Sequence, residues 1–262
     1  MSWSDGLLAF LDEIAPLDFG LIFAHYDRFL YGLWTTVELT ALSLALAALL
    51  SAPLALIRAY GHPLANLPVW CFTYLFRGTP LLVQVYLIYY GLSQFAFVRE
   101  GVLWRPVLSQ AWWCALIAFT LNSAAYTTEL FRGAIVATPR GEIEAARACG
   151  MTRGQVMRRI VLPSALRRAL PAYGNEVIFM LHGSAVASVI TLQDILGAGR
   201  WLNGRYYVAY EGFVTAAVLY MLLVFLITRG LAAAERRWLA HLRPREAAPP
   251  RRPLFSMGAL RL

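Results

Sequence analysis

Residues 35–57 run for 23 positions with a single charge, Glu38, close to one end. Wound as a helix rising about 1.5 Å per residue, such a stretch covers the roughly 30 Å of hydrocarbon in a bilayer. Comparable segments recur at 79–98, 111–130, 172–191 and 212–228. The segment 172–191 is the least apolar, because it carries Asn175, Glu176, His182, Ser184 and Ser188. Polar groups at bilayer depth are costly unless they face a protein interior or a water-filled path, so its polar side must look into a bundle. Composition agrees: 59% of the residues are hydrophobic and 15% charged, whereas soluble domains hold about 45–50% and about 25%. The predicted fold is an all-α membrane protein with five transmembrane helices in one domain, and no internal repeat is visible.

Charge orients such a chain. All 23 basic residues are arginine and the net charge is +8. Arg58 and Arg77, the eight arginines from Arg132 to Arg168 and the eight from Arg229 to Arg261 fall on one side of the five spans. Arg28, Arg99, Arg105, Arg200 and Arg205 fall on the other. The positive-inside rule puts the richer side in the cytoplasm, with the N-terminus outside and the C-terminus inside. Asp5, Asp12, Glu13 and Asp18 precede any basic residue, unlike the positive start of a secretory signal, so the N-terminal segment is expected to stay attached. Residues 1–29 read as an extracytoplasmic or interfacial segment and 30–230 as the membrane domain. Residues 231–262, rich in arginine and proline, read as a flexible cytoplasmic tail near anionic lipid.

The absence of lysine excludes a Gly-Lys-Ser/Thr phosphate loop, a lysine Schiff base and a lysine general base. If ATP is used, another polypeptide binds it with its magnesium; no cofactor is expected in this chain. Cys71, Cys114 and Cys149 are odd in number and widely spaced, and His25, His62, His182 and His241 lie more than a helical turn apart. Neither spacing suits a metal centre or a disulfide framework. No Gly-x-Ser-x-Gly, His-Glu-x-x-His or paired-aspartate pattern occurs in the spans, so an intramembrane enzyme is the least favoured class. Nothing points to nucleic acid.

The cytoplasmic loop at 132–172 carries the most specific signal. Pro139, the acidic pair Glu142 and Glu144, then Ala145 and Ala146, ending at Gly150, predict a short helix with proline at its start, carboxylates at its positive end and glycine past its close. Thr152 is a ready cap for a second short helix, with Val156, Met157 and Ile160 apolar at helical spacing and Pro163 ending it or starting the next element. Two short helices about a glycine form a compact knob.

Glu144-Ala145-Ala146, Gly150 four residues beyond, then nine residues and Ile160-Val161-Leu162-Pro163 resemble the loop signature of membrane subunits of ABC importers. Arg77-Gly78-Thr79-Pro80-Leu81-Leu82-Val83-Gln84, Ala125-Tyr126 with Glu129 and Arg132-Gly133, and Asn175-Glu176 are similar to the polar amino acid branch of that family. Leu181-His182-Gly183-Ser184 before residues 189–196 looks like the permeases for histidine and for lysine, arginine and ornithine, with opine permeases close by. The similarity covers about residues 30–230. It implies a type I ABC importer transmembrane fold that does not itself hydrolyse ATP. Implied partners are an ATPase dimer, a second permease subunit (a copy or a paralogue), a periplasmic amino-acid-binding protein and the inner-membrane bilayer. In the implied seat Glu144 offers a charge to the ATPase, Ala145 and Ala146 permit close approach, and Gly150 permits a sharp reversal, with Ile160, Leu162 and Pro163 completing the signature. A rigid helix pair transmits a rigid-body stroke where a floppy loop cannot.

A permease must pass its substrate between polar groups. Gln84 in span two, Asn122, Tyr126 and Glu129 in span three, and Glu176, His182 and Ser184 in span four are the candidates. Asn122, Tyr126 and Glu129 share one helix face. Glu129 has Arg132 at i+3 as an alternative partner, His182 fits a hydrogen bond to a helix neighbour, and Ser184 and Ser188 suit close helix packing. The Arg77–Pro80 stretch reads as a kink leading into span two, with Arg77 at the interface. The expected cargo is a polar, basic amino acid or an opine, with glutamine or glutamate as the alternative. An ion-coupled secondary transporter would show inverted repeats, which are not seen.

Overall fold

The computed structural model describes residues 19–238, and among these every regular element is helical. The first part of the predicted N-terminal segment, residues 1–18, and the tail beyond residue 238 lie outside the described residues. A short helix α1 (Phe19–Ala24) leads into α2 (Tyr26–Tyr60), 35 residues long and therefore about 52 Å. The sequence expected this span at 35–57; the helix extends at both ends because Asp27 suits its positive first turn and Arg58 its negative last turn. Along one face Thr36, Leu39, Ser43, Ala47, Ser51 and Ala55 are buried. The hydroxyls of Ser43 and Ser51 donate back to carbonyls one turn away, at 3.0 Å each, so they need no partner in lipid.

α3 (Pro63–Gly78) and α4 (Leu81–Tyr86, drawn on through a wide turn at Leu87–Gly91 and a tight one at Leu92–Gln94) meet at 106°. α3 is a helix of its own ahead of the segment expected at 79–98. The break is where the sequence expected a kink. Thr79 is forced into extended backbone by the following Pro80, which itself has no N–H to continue the ladder. After a short α5 (Ala96–Arg99), α6 (Ala111–Val136) returns through the centre of the fold against α2, α3 and α9.

The loop expected at 132–172 forms α7 (Arg140–Ala148) and α8 (Arg153–Val156), the latter continuing through a wide turn at Met157–Val161 into α9 (Leu162–Gly183). The fourth span, expected at 172–191, starts earlier than its polar residues suggested and tightens at Ser184–Ile190. Asp194 caps α10 (Ile195–Tyr206), accepting from Gly197 N at 2.7 Å and from the Tyr220 hydroxyl at 3.2 Å. α11 (Ala209–Trp238) closes the order, and it meets α10 so tightly that a Cβ on Gly199 or Gly212 would lie within 2.7 Å of the other's carbonyl oxygen.

By length and apolarity α2 and α11 each suffice to cross a membrane, and the bent pairs α3–α4 and α8–α10 bring the number to four. α6 is long enough but carries Asn122, Ser123, Thr127, Thr128 and Glu129. It is walled in by protein, so its polar side chains are not set against lipid.

Three apolar clusters hold the described residues together. Leu39, Leu44, Val85, Leu116, Phe119, Met180 and Ile190 pack in the first. Ala55, Ile135, Ala146, Val156, Val161 and Ala165 form a second, which joins the loop helices to the ends of α2, α6 and α9. Phe29, Ala198 and Leu202 form the third, between α2 and α10.

Candidate functional site

The knob of α7 and α8 is built from strong local signals. Gly150 has φ +81, the left-handed conformation that a side chain disfavours, and it closes α7 with Gly150 N donating to Arg147 O and Met151 N to Ala146 O. Thr152 starts the next helix through a reciprocal box: Gln155 N donates to Thr152 Oγ1 and Thr152 N to Gln155 Oε1 at 2.8 Å. Pro163 cannot donate to the carbonyl of Arg159, and the chain widens there, with Leu162 N reaching back to Met157 O.

These features sort the signature residues. Ala146 is buried in the second core and Ile160 packs against it, while Leu162 and Pro163 are half-buried at the root of α9. Glu144, Ala145 and Gly150 are exposed. One side of α7 is thus welded to the membrane helices and the other is bare. Arg168 holds the base of the loop: its guanidinium donates to Ser164 Oγ (2.8 Å), Thr138 Oγ1 (2.7 Å) and Ala134 O (3.3 Å), tying α9 to the end of α6.

Above the knob, Glu129 is fully engaged. Oε1 accepts from Arg58 Nε and Oε2 from Arg132 Nε, both at 2.7 Å, and Thr73 Oγ1 adds a bond at 3.2 Å. Arg58 also donates to Asn66 Oδ1. The Arg132 partnership was legible at i+3; Arg58, 71 residues away, was not. Glu129 is therefore a clasp between α2, α3 and α6.

Gln84, Asn122 and Tyr126 gather at the α3–α4 break. A helix end leaves carbonyls without partners, and here side chains supply them. Gln84 Nε2 donates to Phe76 O (2.8 Å), Thr79 O (3.0 Å) and Thr79 Oγ1 (2.8 Å). Asn122 Nδ2 donates to Gln84 Oε1 at 3.0 Å and Phe76 O at 3.4 Å, and the Tyr126 hydroxyl to Arg77 O at 3.3 Å. Arg77 itself was expected at the membrane interface. Its guanidinium stands 5.4 Å from the ring centroid of Tyr126.

Asn122 and Tyr126 also line a cavity of about 490 Å³ with Leu81, Asn175, Glu176 and Phe179. Glu176 is half-buried on its wall and accepts from Ser123 Oγ at 2.9 Å. The ion pairs of the described residues, centred on Glu129, do not include it. His182 lines a separate cavity with Tyr220 and Met221. Ser184 is buried and donates to Leu181 O at 2.7 Å, as packing required. Of the seven candidates from sequence, the cavity unites Asn122, Tyr126 and Glu176, with Gln84 behind Asn122; Glu129, His182 and Ser184 lie elsewhere. Ser123 and Phe179 were missed, although Ser123 adjoins Asn122 and Phe179 follows Glu176 by three positions.

Known proteins resemble this chain in sequence and fold. Residues 46–240 match the family model for the inner membrane component of binding-protein-dependent transport systems. The octopine transport system permease OccM of Rhizobium radiobacter is 44% identical over 214 residues, 82% of this chain and 87% of that protein. The histidine/lysine/arginine/ornithine transport system permease HisM of Escherichia coli K12 is 42% identical over 213 residues, 81% and 90% of the two chains. A crystal structure of an amino acid ABC transporter with histidines has 33% identity and a TM-score of 0.76, covering 84% of this chain and 99% of that one. The MetNI methionine transporter shares the fold, with a TM-score of 0.68 at 22% identity. The chain belongs to the binding-protein-dependent transport system inner membrane component family, as a permease subunit of an ABC importer whose ATP hydrolysis resides on a separate ATPase.

Proposed function

We propose that the chain is one of two permease subunits around a shared pathway and that it carries basic amino acids (histidine, arginine, lysine or ornithine) or opines. An extracytoplasmic binding protein delivers the cargo, and a separate ATPase dimer binding ATP and magnesium powers the cycle. The observation that carries the basic-substrate reading is Glu176, a carboxylate on the cavity wall held by a serine and by no arginine. A cationic side chain beside it would gain a charge-assisted contact in a low-dielectric site. Identity of 42–44% to permeases named for histidine, lysine, arginine, ornithine and octopine supports the same class.

We further read five crossings: α2, the bent pair α3–α4, α6, the bent run α8–α10, and α11, with the N-terminus outside. Arginine bias supports that orientation. The exposed side of α7, with Glu144 and Ala145, is the seat for the ATPase.

Stimulation of ATP hydrolysis in lipid by binding protein loaded with arginine, histidine, ornithine, octopine or glutamine tests the substrate class. Stimulation by the cationic cargoes is the expected result; stimulation by glutamine alone would reject it.

A further inference from the structure

α9 and α10 follow one another in the chain but belong to different parts of the fold. The root of α9 continues from the knob through α8, and Glu176, Phe179 and Gly183 further along it line the cavity. α10 is fastened to α2 and α11. A Cβ on Gly32 would fall 2.6 Å from Asp194 O, Ile195 N donates to Thr36 Oγ1 at 3.2 Å, and Gly199 meets Gly212 backbone to backbone. Asp194 accepts from Tyr220 of α11, and Phe29, Ala198 and Leu202 bury the contact with α2. A helix joined to the knob thus meets a helix locked to α2 and α11, and their axes differ by 41° across the break.

The junction between them is strained. Ser184–Ile190 is wound at about three residues per turn for seven residues, although such runs rarely exceed about four. It ends on Thr191, whose φ of +70 is the left-handed backbone that glycine and asparagine adopt readily and a β-branched residue does not. The Thr191 side chain is exposed and makes no hydrogen bond among the described residues. Arg200 of α10 reaches back over this run, donating to Ser188 O at 3.2 Å and to Ser188 Oγ at 3.4 Å. A sparsely populated backbone conformation persists only where its surroundings over-determine it, and such strain collects at switch regions.

We infer that residues 184–191 are a hinge on which α9, with the knob and the cavity wall, swings against the clamp of α2, α10 and α11, and that Arg200 is the latch holding the present angle. The inference rests on the knob being the seat of the ATPase, and it holds for any cargo. A few residues at an element's end absorb the backbone change of a hinge motion. Once Arg200 lets go of Ser188, Thr191 can leave the left-handed region. The tight run then relaxes from about 2.0 to about 1.5 Å per residue, drawing its ends about 3–4 Å closer. The stored strain lowers the difference in energy between the two angles, so a modest push at the knob suffices to change one for the other.

The test is pulsed electron paramagnetic resonance on the permease–ATPase complex in lipid nanodiscs. Arg167→Cys on α9 and Arg205→Cys on α10, both exposed positions, carry the spin labels, with Cys71, Cys114 and Cys149 replaced by serine and one labelled chain per complex. Two distance populations are expected, and MgATP with vanadate and loaded binding protein should move the complex from the latched one to the other. Thr191→Gly and Thr191→Asn relieve the strain of the latched form and should raise its ratio to the other by about fivefold or more. Thr191→Val keeps the branched side chain and should leave the ratio unchanged. Arg200→Gln should lower the ratio by about fivefold, and Arg200→Lys should recover part of it. If the variants shift the populations and nucleotide does not, the hinge stands and the ATPase seat on the knob falls. A single distance in every variant and state, or the same ratio in Thr191→Gly as in Thr191→Val, overturns the inference.

Discussion

Arg58 Nε and Glu129 Oε1 lie 2.7 Å apart, joining the C-terminal end of α2 to α6 beside the core that anchors the loop helices. Arg132 and Thr73 share the same carboxylate, so Glu129 ties α3 to α2 and α6. Removing one partner of a buried pair strands the other. Glu129→Ala, which strands two guanidinium groups, should therefore cost about 3 kcal/mol or more, and Arg58→Ala less, since Arg132 still serves Glu129. Thermal unfolding in detergent of both variants and of the double variant checks this; the double variant should cost less than the sum.

Gln84 answers three acceptors at the α3–α4 break. Gln84→Leu preserves bulk but removes the donor to the Thr79 carbonyl and the acceptor of Asn122, and leaves Phe76 O only the longer bond from Asn122, at about 1–3 kcal/mol. The melting temperature should fall, and Gln84→Glu should not restore it, because a carboxylate has no N–H to give these carbonyls. A Gln84→Leu protein as stable as wild type would remove the capping role.

Much of this fold was legible because membrane crossing and helix capping are local demands. The apolar run containing Leu39 and Ala47, the Gly150 reversal and the Thr152 cap each followed from a few neighbouring residues. The 106° turn at Pro80 was legible as a kink, while its size and the independent helix before it were not. The site was harder to read, because its partnerships span distant segments: Ser123 with Glu176 is 53 residues apart and Tyr126 with Arg77 is 49. Nothing near Glu129 in sequence announced Arg58. Polar residues that looked alike in a list of span residues divide in space into a clasp, a cap for a broken helix and a cavity wall.

The left-handed backbone at Gly150 makes a graded test of the knob. Gly150→Asn should be tolerated best, and Gly150→Ala should cost about 1–2 kcal/mol locally. Gly150→Asp adds a charge to the exposed turn and should leave membrane insertion intact while separating ATP hydrolysis from uptake in reconstituted vesicles. Equal uptake by the Ala, Asn and Asp variants would show that the turn does not matter for coupling.

Glu176→Gln keeps the bond geometry to Ser123 while removing the charge. Uptake of cationic cargo should fall about tenfold or more, with binding-protein affinity unchanged. Ser123→Ala should have a smaller effect in the same direction. Vesicle uptake at fixed concentrations of loaded binding protein separates these from folding defects when the amount of inserted complex is measured in parallel.

Contact between the bare side of α7 and the motor is best measured by cross-linking. Glu144→Cys in a Cys149→Ser background places a single thiol on the exposed knob, since the remaining cysteines, Cys71 and Cys114, lie on α3 and α6. During ATP-driven turnover in membranes this thiol should cross-link to the ATPase subunit, whereas Leu64→Cys, exposed on α3, should not. A thiol at position 144 that never reaches the ATPase, with the complex intact and transporting, would contradict transmission of the stroke through this loop.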